Sequence, residues 1–285
     1  YARVKNWGAA ANFFKQVIDQ HPKAQFADKA AYEWAWCARS LKLDKEATQR
    51  YELLLKEYPK SALAIKVQSE LAELNLDVGA QDAVIAKLTE TMKSVKDSEL
   101  KFELQYQLAS AHFKKKDYEN SAKKFEALIE GAKKSKLLSS ILFQAGESRL
   151  SLTETVPARD HFLAAHQVSP GSAPLAESIL IRLAETQNLT AQYEEAQKSY
   201  QKFIKQYNQS QWLRNARYGM AYAMEKQQDY NKAIGEYAKL LSVDPKKPLK
   251  MDKWMVQARY QIGECWFNLR QYDKAMAEFL SVEVN

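Results

Sequence analysis

Four histidines, His21, His112, His161 and His166, and two cysteines, Cys37 and Cys265, are the side chains of this sequence best suited to hold a metal or attack a substrate. A zinc site asks for a His-Glu-x-x-His helix or for clustered Cys and His, and neither spacing occurs, so no metal is expected. A phosphate cradle would need a GxGxxG turn or a Gly-rich loop ending in Gly-Lys-Ser/Thr. The chain has 8 glycines in 285 residues and neither motif, so no cofactor is expected either. Asp and Glu number 35, yet no two of them stand apart as an acid and base pair. Both cysteines lie in helical stripes among bulky residues, where a thiol behaves as a small hydrophobe unless its pKa is lowered. No catalytic residue is assigned, and the chain reads as a non-enzyme.

The elements that carry these residues are helices. Hydrophobic residues make up 46% of the chain, with only 8 Gly and 7 Pro to interrupt helices, which points to an all-α protein. No run approaches the roughly 18 apolar residues of a membrane span. The chain opens on Tyr1 with no charged-then-apolar leader, so residues upstream would have to settle the compartment. The net charge is +7, with basic clusters at Lys114 to Lys116, at Lys133, Lys134 and Lys136, and at Lys246, Lys247, Lys250 and Lys253. These read as solvated turns, with a polyanion or nucleic-acid site as the alternative.

A small residue followed four positions later by a ring recurs along the chain. The pairs are Ala10/Phe14, Ala47/Tyr51, Ser121/Phe125, Ala158/Phe162, Ala196/Tyr200, Ala233/Tyr237 and Ala275/Phe279, with a degenerate pair at Ala83/Lys87. Steps between the small residues are 37, 36, 38, 37, 38, 37 and 42. Twelve residues after the small position stand Pro22, Pro59, Pro170 and Pro245, and in one unit the turn former Asn208. Three residues before it an aromatic recurs as Trp7, Tyr118, Tyr193, Tyr230 and Tyr272, after polar loops such as Gln-Gln-Asp, which marks a turn between two helices. Upstream of each turn a second stripe carries its own small residue, at Ala35, Ala72, Ala109, Gly146, Ala184, Ala221 and Gly263. One helix's ring can fill the space left by its neighbour's missing side chain.

Segments such as Tyr193-Glu-Glu-Ala-Gln-Lys-Ser-Tyr200 and Gln271-Tyr-Asp-Lys-Ala-Met-Ala-Glu-Phe279 strongly resemble tetratricopeptide repeats, and the resemblance covers nearly the whole chain. The period exceeds the usual 34 by about three to four residues, or one helical turn. The resemblance implies a right-handed superhelix of antiparallel helix hairpins, an α-solenoid of about seven hairpins plus an N-terminal half-repeat. The half-repeat is expected over 1–25 and the hairpins over 28–61, 64–97, 102–136, 139–173, 177–211, 214–248 and 256–285, as one domain. Six hairpins then separate Cys37 from Cys265, so both are expected to be free thiols. The turns Tyr58-Pro-Lys-Ser61 and Tyr207-Asn-Gln-Ser210 also look like those of bacterial envelope proteins of the Tol-Pal coordinator and outer-membrane assembly lipoprotein type, which implies a periplasmic bridging role. Both ends fall on second helices without a polar cap, so further repeats or end-to-end contact between copies is expected.

The resemblance also implies that first helices line a concave groove that binds a protein or peptide. Carried over residue by residue, one row holds Tyr32, Tyr106, Phe143, Ile181, Tyr218 and Tyr260. A second holds Trp36, Ser110, Glu147, Glu185, Tyr222 and Glu264, and a third Arg39, Phe113, Leu150, Asn188, Glu225 and Phe267. The partner-binding candidates are Tyr32, Trp36, Tyr106, Phe143, Glu147, Glu185, Tyr218, Tyr222, Tyr260 and Glu264. Rings give apolar contact at low entropic cost and clustered Glu favours Lys or Arg, so a basic or amphipathic peptide fits. Any of these rings could instead pack on the next hairpin, and the Glu row could be plain solvated surface. The Lys/Asn/Arg clamp of the chaperone-binding subclass is replaced by Tyr106, Ser110, Gln144 and Glu147. The reading is an interaction scaffold; the alternatives are a polyanion or nucleic-acid module, or the regulatory repeats of a larger enzyme.

Overall fold

Ala27, Ala30, Ala31, Tyr32, Ala35 and Ala38 recur at three- and four-residue intervals, and all are buried along one side of the helix Ala27–Ser40. The same rule builds the rest of the molecule. The structure is a computed structural model that describes residues 6–76, 81–171, 173–241 and 253–283. Among these residues there are fifteen helices and no strand. They are α1 (Trp7–Gln20), α2 (Ala27–Ser40), α3 (Asp44–Glu57), α4 (Ala64–Leu76), α5 (Gln81–Ser94), α6 (Ser98–Lys114), α7 (Tyr118–Ala132) and α8 (Leu138–Ser151). There follow α9 (Thr155–Val168), α10 (Ala176–Leu189), α11 (Tyr193–Gln206), α12 (Leu213–Lys226), α13 (Tyr230–Ala238), α14 (Lys253–Asn268) and α15 (Tyr272–Glu283). Helix α6 begins earlier than the stripe suggested, because the Asp97 side chain accepts the Leu100 N–H at 2.7 Å and caps it.

The chain divides into two compact units, Tyr1–Glu130 and Gly131–Asn285. In the first, each helix from α1 to α5 packs on the next. In the second, each helix from α8 to α14 does the same, and α10 also touches α12 and α12 touches α14. The first helices of successive hairpins in the second unit therefore lie side by side.

The small-plus-ring pairs form the core. Tyr51, Phe125, Phe162, Tyr200 and Tyr237 are all essentially inaccessible to solvent, as are Ala47, Ala158, Ala196 and Ala233. Ser121 is equally buried and donates its hydroxyl to the Ala109 carbonyl at 3.1 Å, which satisfies the polar group. The small sites on the first helices are closely fitted. A Cβ on Gly146 would lie 2.7 Å from the Phe162 ring, and one on Gly263 would lie 2.5 Å from Phe279.

One pair is misplaced in the sequence reading. In α5 the buried residues are Val84, Leu88 and Thr91, while Ala83 and Lys87 are exposed. With Val84 as the small position the steps on either side both become 37, that is 84 − 47 and 121 − 84. A crevice of about 340 Å³ opens between α3, α4 and α5, lined by Leu55, Gln68, Leu71, Ala72, Ala83, Val84 and Lys87.

Six described turns inside hairpins repeat a geometry that periodicity does not reveal. Lys42, Lys116, Thr153, Ala191, Gln228 and Arg270 all have φ between 57° and 65°. After each, the next N–H reaches back five residues, as in Leu43 to Ala38 at 3.0 Å and Gln192 to Gln187 at 2.8 Å. This is the left-handed helix cap that glycine usually occupies, filled here by non-glycine residues.

Candidate functional site

The first-row aromatics lean on the core. Tyr32 meets Tyr51, Tyr106 meets Phe125, Phe143 meets Phe162, Tyr218 meets Tyr237 and Tyr260 meets Phe279, with ring centroids 5.4–5.8 Å apart. Each pair is separated by 19 residues in sequence, as in 51 − 32 and 237 − 218. These rings thus back the second-helix rings of their own hairpins, and only their outer parts can meet a ligand.

In the first unit Tyr32 is buried, with its hydroxyl donating to Glu70 Oε1 at 3.0 Å and Lys66 Nζ 4.9 Å from its ring centroid. Burial pushes the Tyr32 hydroxyl pKa up, so it stays a neutral donor. The structure places this side chain in the core. Trp36 stacks on Tyr32 with 37% of its surface open, and the Arg39 guanidinium lies 5.7 Å from its ring centroid. Glu70 and Glu73 hold that guanidinium. Tyr106 is half-buried.

In the second unit five of the candidates come together. A cleft of about 670 Å³ runs over α8, α10, α12 and α14, with Tyr193 of α11 adding to its wall. Its apolar wall is Leu150, Leu189, Tyr193, Tyr218, Tyr222 and Trp254, and its polar lining is Arg182, Glu185, Asn188, Asn215, Lys253 and Gln257. A smaller hollow of about 180 Å³ shares Arg182, Glu185 and Asn215 with it and adds Phe143, Glu147, Ser178, Ile181 and Trp212. Tyr260 and Glu264 belong to the same unit but line neither hollow; Tyr260 is half exposed beside Phe279.

The wall is braced from behind. Tyr218 packs between Tyr237 and Trp254, and Tyr222 stands edge-on to Tyr193 with Lys226 Nζ 4.9 Å from its centroid. Asn188 Nδ2 donates to the Gly219 carbonyl at 2.9 Å, tying α10 to α12 across the cleft floor. In the Glu row, Glu147 and Glu185 are not free surface. Arg182 Nε lies 2.8 Å from Glu147 Oε1, and Arg182 Nη1 lies 2.9 Å from Glu185 Oε2. Burial outweighs the attraction of Arg182 at Glu147, whose pKa is raised. Glu147 and Glu185 thus already face one cation, the Arg182 guanidinium, one residue past Ile181.

Arg182, Leu189, Asn215, Trp254 and Gln257 line the cleft without belonging to any of the three rows, and Tyr193 enters it from the turn position. Trp254 lies 36 residues beyond Tyr218, close to the repeat step, and that spacing could have identified it.

Elsewhere both cysteines are buried and His112 and His166 are engaged, while His21 is exposed. Cys37 and Cys265 are buried free thiols, and burial pushes the Cys265 pKa up to about 12, far from a nucleophilic thiolate. His112 pairs with Asp117 at 2.8 Å, and His166 meets Lys202 Nζ at 2.8 Å. Among the described residues no three His, Cys, Asp or Glu side chains gather as a metal site, and no helix is long and apolar enough to cross a membrane. In the basic clusters, Lys115 is paired with Asp82 at 2.6 Å, while Lys246, Lys247, Lys250 and Pro245 lie outside the described residues.

Three segments of the chain, residues 29–61, 179–210 and 215–247, match the tetratricopeptide repeat model. They correspond to the hairpins that begin with α2, α10 and α12, so two of the cleft's four first helices fall in matched repeats. A comparison with curated proteins finds no match. Among solved structures, the C-terminal part of a TPR repeat-containing protein from Cytophaga hutchinsonii aligns with a TM-score of 0.64 at 16% identity, over 87% of this chain and 96% of that one. A tetratricopeptide repeat protein from Parabacteroides merdae aligns with a TM-score of 0.53 at 12% identity, covering 90% and 92%. A signal transduction ATPase with a tetratricopeptide repeat sensor from Pyrococcus horikoshii gives 0.63 at 14%, over 97% of this chain and 46% of that one. The chain therefore carries tetratricopeptide repeats in an all-helical, repeat-built fold, and the envelope likeness of its Tyr-Pro-x-Ser turns gains no support from these neighbours.

Proposed function

We propose that the chain is a non-catalytic interaction scaffold that holds a peptide segment of another protein in the second-unit cleft. The observation that carries this is the cleft itself: four rings in paired contact, Trp254 on the core-backed Tyr218 and Tyr222 on Tyr193, with the Asn188, Asn215 and Gln257 amides along the same wall. Rigid rings supply contact area without much ordering cost, and side-chain amides can both donate to and accept from a peptide backbone. A volume of about 670 Å³ suits a few side chains of a bound segment, not a folded domain.

Tyr222 is the cleanest probe, because Tyr218 also supports Tyr237 and Trp254. For a peptide selected on the intact chain, Tyr222→Ala is expected to weaken binding by about 30-fold, a hot-spot effect, with the helical circular dichroism and melting profile unchanged. Fluorescence anisotropy measures the affinity. Equal affinity for the wild-type chain and the variant would remove the cleft from the binding account.

A further inference from the structure

Resting on that reading of the cleft, we infer that it is electrically oriented: it takes a segment with an apolar centre, a basic residue at its α8–α10 end and an acidic residue at its α14 end. At the first end two carboxylates share one guanidinium, Glu147 and Glu185 on Arg182, which leaves one negative charge over. These groups are not sealed off, since the Arg182, Glu185 and Glu147 side chains retain 40%, 30% and 18% of their exposure. Burial of Glu147 raises its pKa, as expected of a carboxylate whose single cation is shared.

The opposite end has the opposite sign. Lys253 lines the cleft at the start of α14, with its Nζ 5.2 Å from the Trp254 ring centroid. Lys226 lies over Tyr222 and meets Glu225 at 3.5 Å, but Glu225 is buried and its Oε2 accepts the Tyr237 hydroxyl. Lys226, at the C-terminal end of α12, does not line the cleft, so Lys253 alone among the cleft-lining residues supplies the positive charge at this end. The first turn of α14 contains no acidic residue. A lysine at the positive end of a helix dipole is locally unfavourable, and an anion from a partner would relieve it. Complementary charge at the two ends of a groove fixes the direction of a bound chain more than it adds affinity, because the reversed segment meets like charge at both ends.

The test uses the intact chain and a random peptide display library, followed by synthesis of one enriched peptide and a copy with its basic and acidic residues exchanged. Enriched sequences are expected to carry an aromatic or aliphatic centre between a basic and an acidic residue in one constant chain direction. The exchanged copy should bind about tenfold more weakly at low salt, with the difference shrinking as salt rises. Lys253→Glu should remove that preference, and combined with Glu185→Lys should invert it, which a merely destabilised fold would not do. Equal affinity of both peptides, sensitive to Tyr222→Ala, overturns the orientation and leaves the binding cleft standing. Equal affinity insensitive to Tyr222→Ala overturns both.

Discussion

Phe162→Ala is expected to cost about 3–5 kcal/mol of stability, the range for an aromatic removed from a packed core. The ring is wholly buried, lies against Gly146 so closely that no Cβ fits there, and shares a cluster with Leu183 of α10 and with Phe143 and Leu150 of α8. It therefore joins three helices, α8, α9 and α10. In a repeat-built fold each unit contacts only its neighbours, so the damage should stay near α8 to α10. Hydrogen exchange should show the amides of those helices losing protection while α14 and α15 keep theirs. Urea melting read alone can mislead here, since repeat arrays depart from two-state behaviour. A loss below about 1 kcal/mol would mean that small-plus-ring pairs do not form the core.

The second large effect distinguishes two adjacent residues. Leu88→Ala is expected to cost about 2–5 kcal/mol, and Lys87→Ala less than about 0.5 kcal/mol, by chemical denaturation under identical conditions. Leu88 and Val84 carry the inward face of α5, whereas Lys87 points to solvent at the mouth of the crevice. The crevice already present lowers the local packing density, so the upper half of the range applies only if α4 and α5 cannot close around the gap. A larger loss from Lys87→Ala than from Leu88→Ala would restore the Ala83/Lys87 register.

That one-residue slip shows what a sequence stripe can and cannot say. Ala83 and Lys87 keep the i, i+4 spacing of the template, and so do Val84 and Leu88; only the helix lying against α5 decides which pair faces inward. The loops after second helices were legible because turn residues act locally: Pro22, Pro59, Pro170 and Asn208 fall just past the ends of α1, α3, α9 and α11. The six left-handed caps were not legible, because their residues are Lys, Thr, Ala, Gln and Arg, with no glycine to mark them. Five of the ten candidate residues gather at the cleft hollows, since the first-helix rows run along one face. Arg182 escaped because its importance lies in two carboxylates, one on its own helix and one on α8, and a single helix does not reveal what its neighbour presents. Tyr32 misled for the related reason that an outward position on one helix becomes a buried one when Glu70 and Lys66 of α4 cover it.

Amide hydrogen exchange of the whole chain, with and without a saturating selected peptide, bears most directly on the claim that the row of first helices in the second unit is the recognition surface. Added protection is predicted along α10, α12 and the start of α14, with α9, α13 and α15 unchanged. Protection confined to those second helices, or spread evenly over the chain, would contradict it.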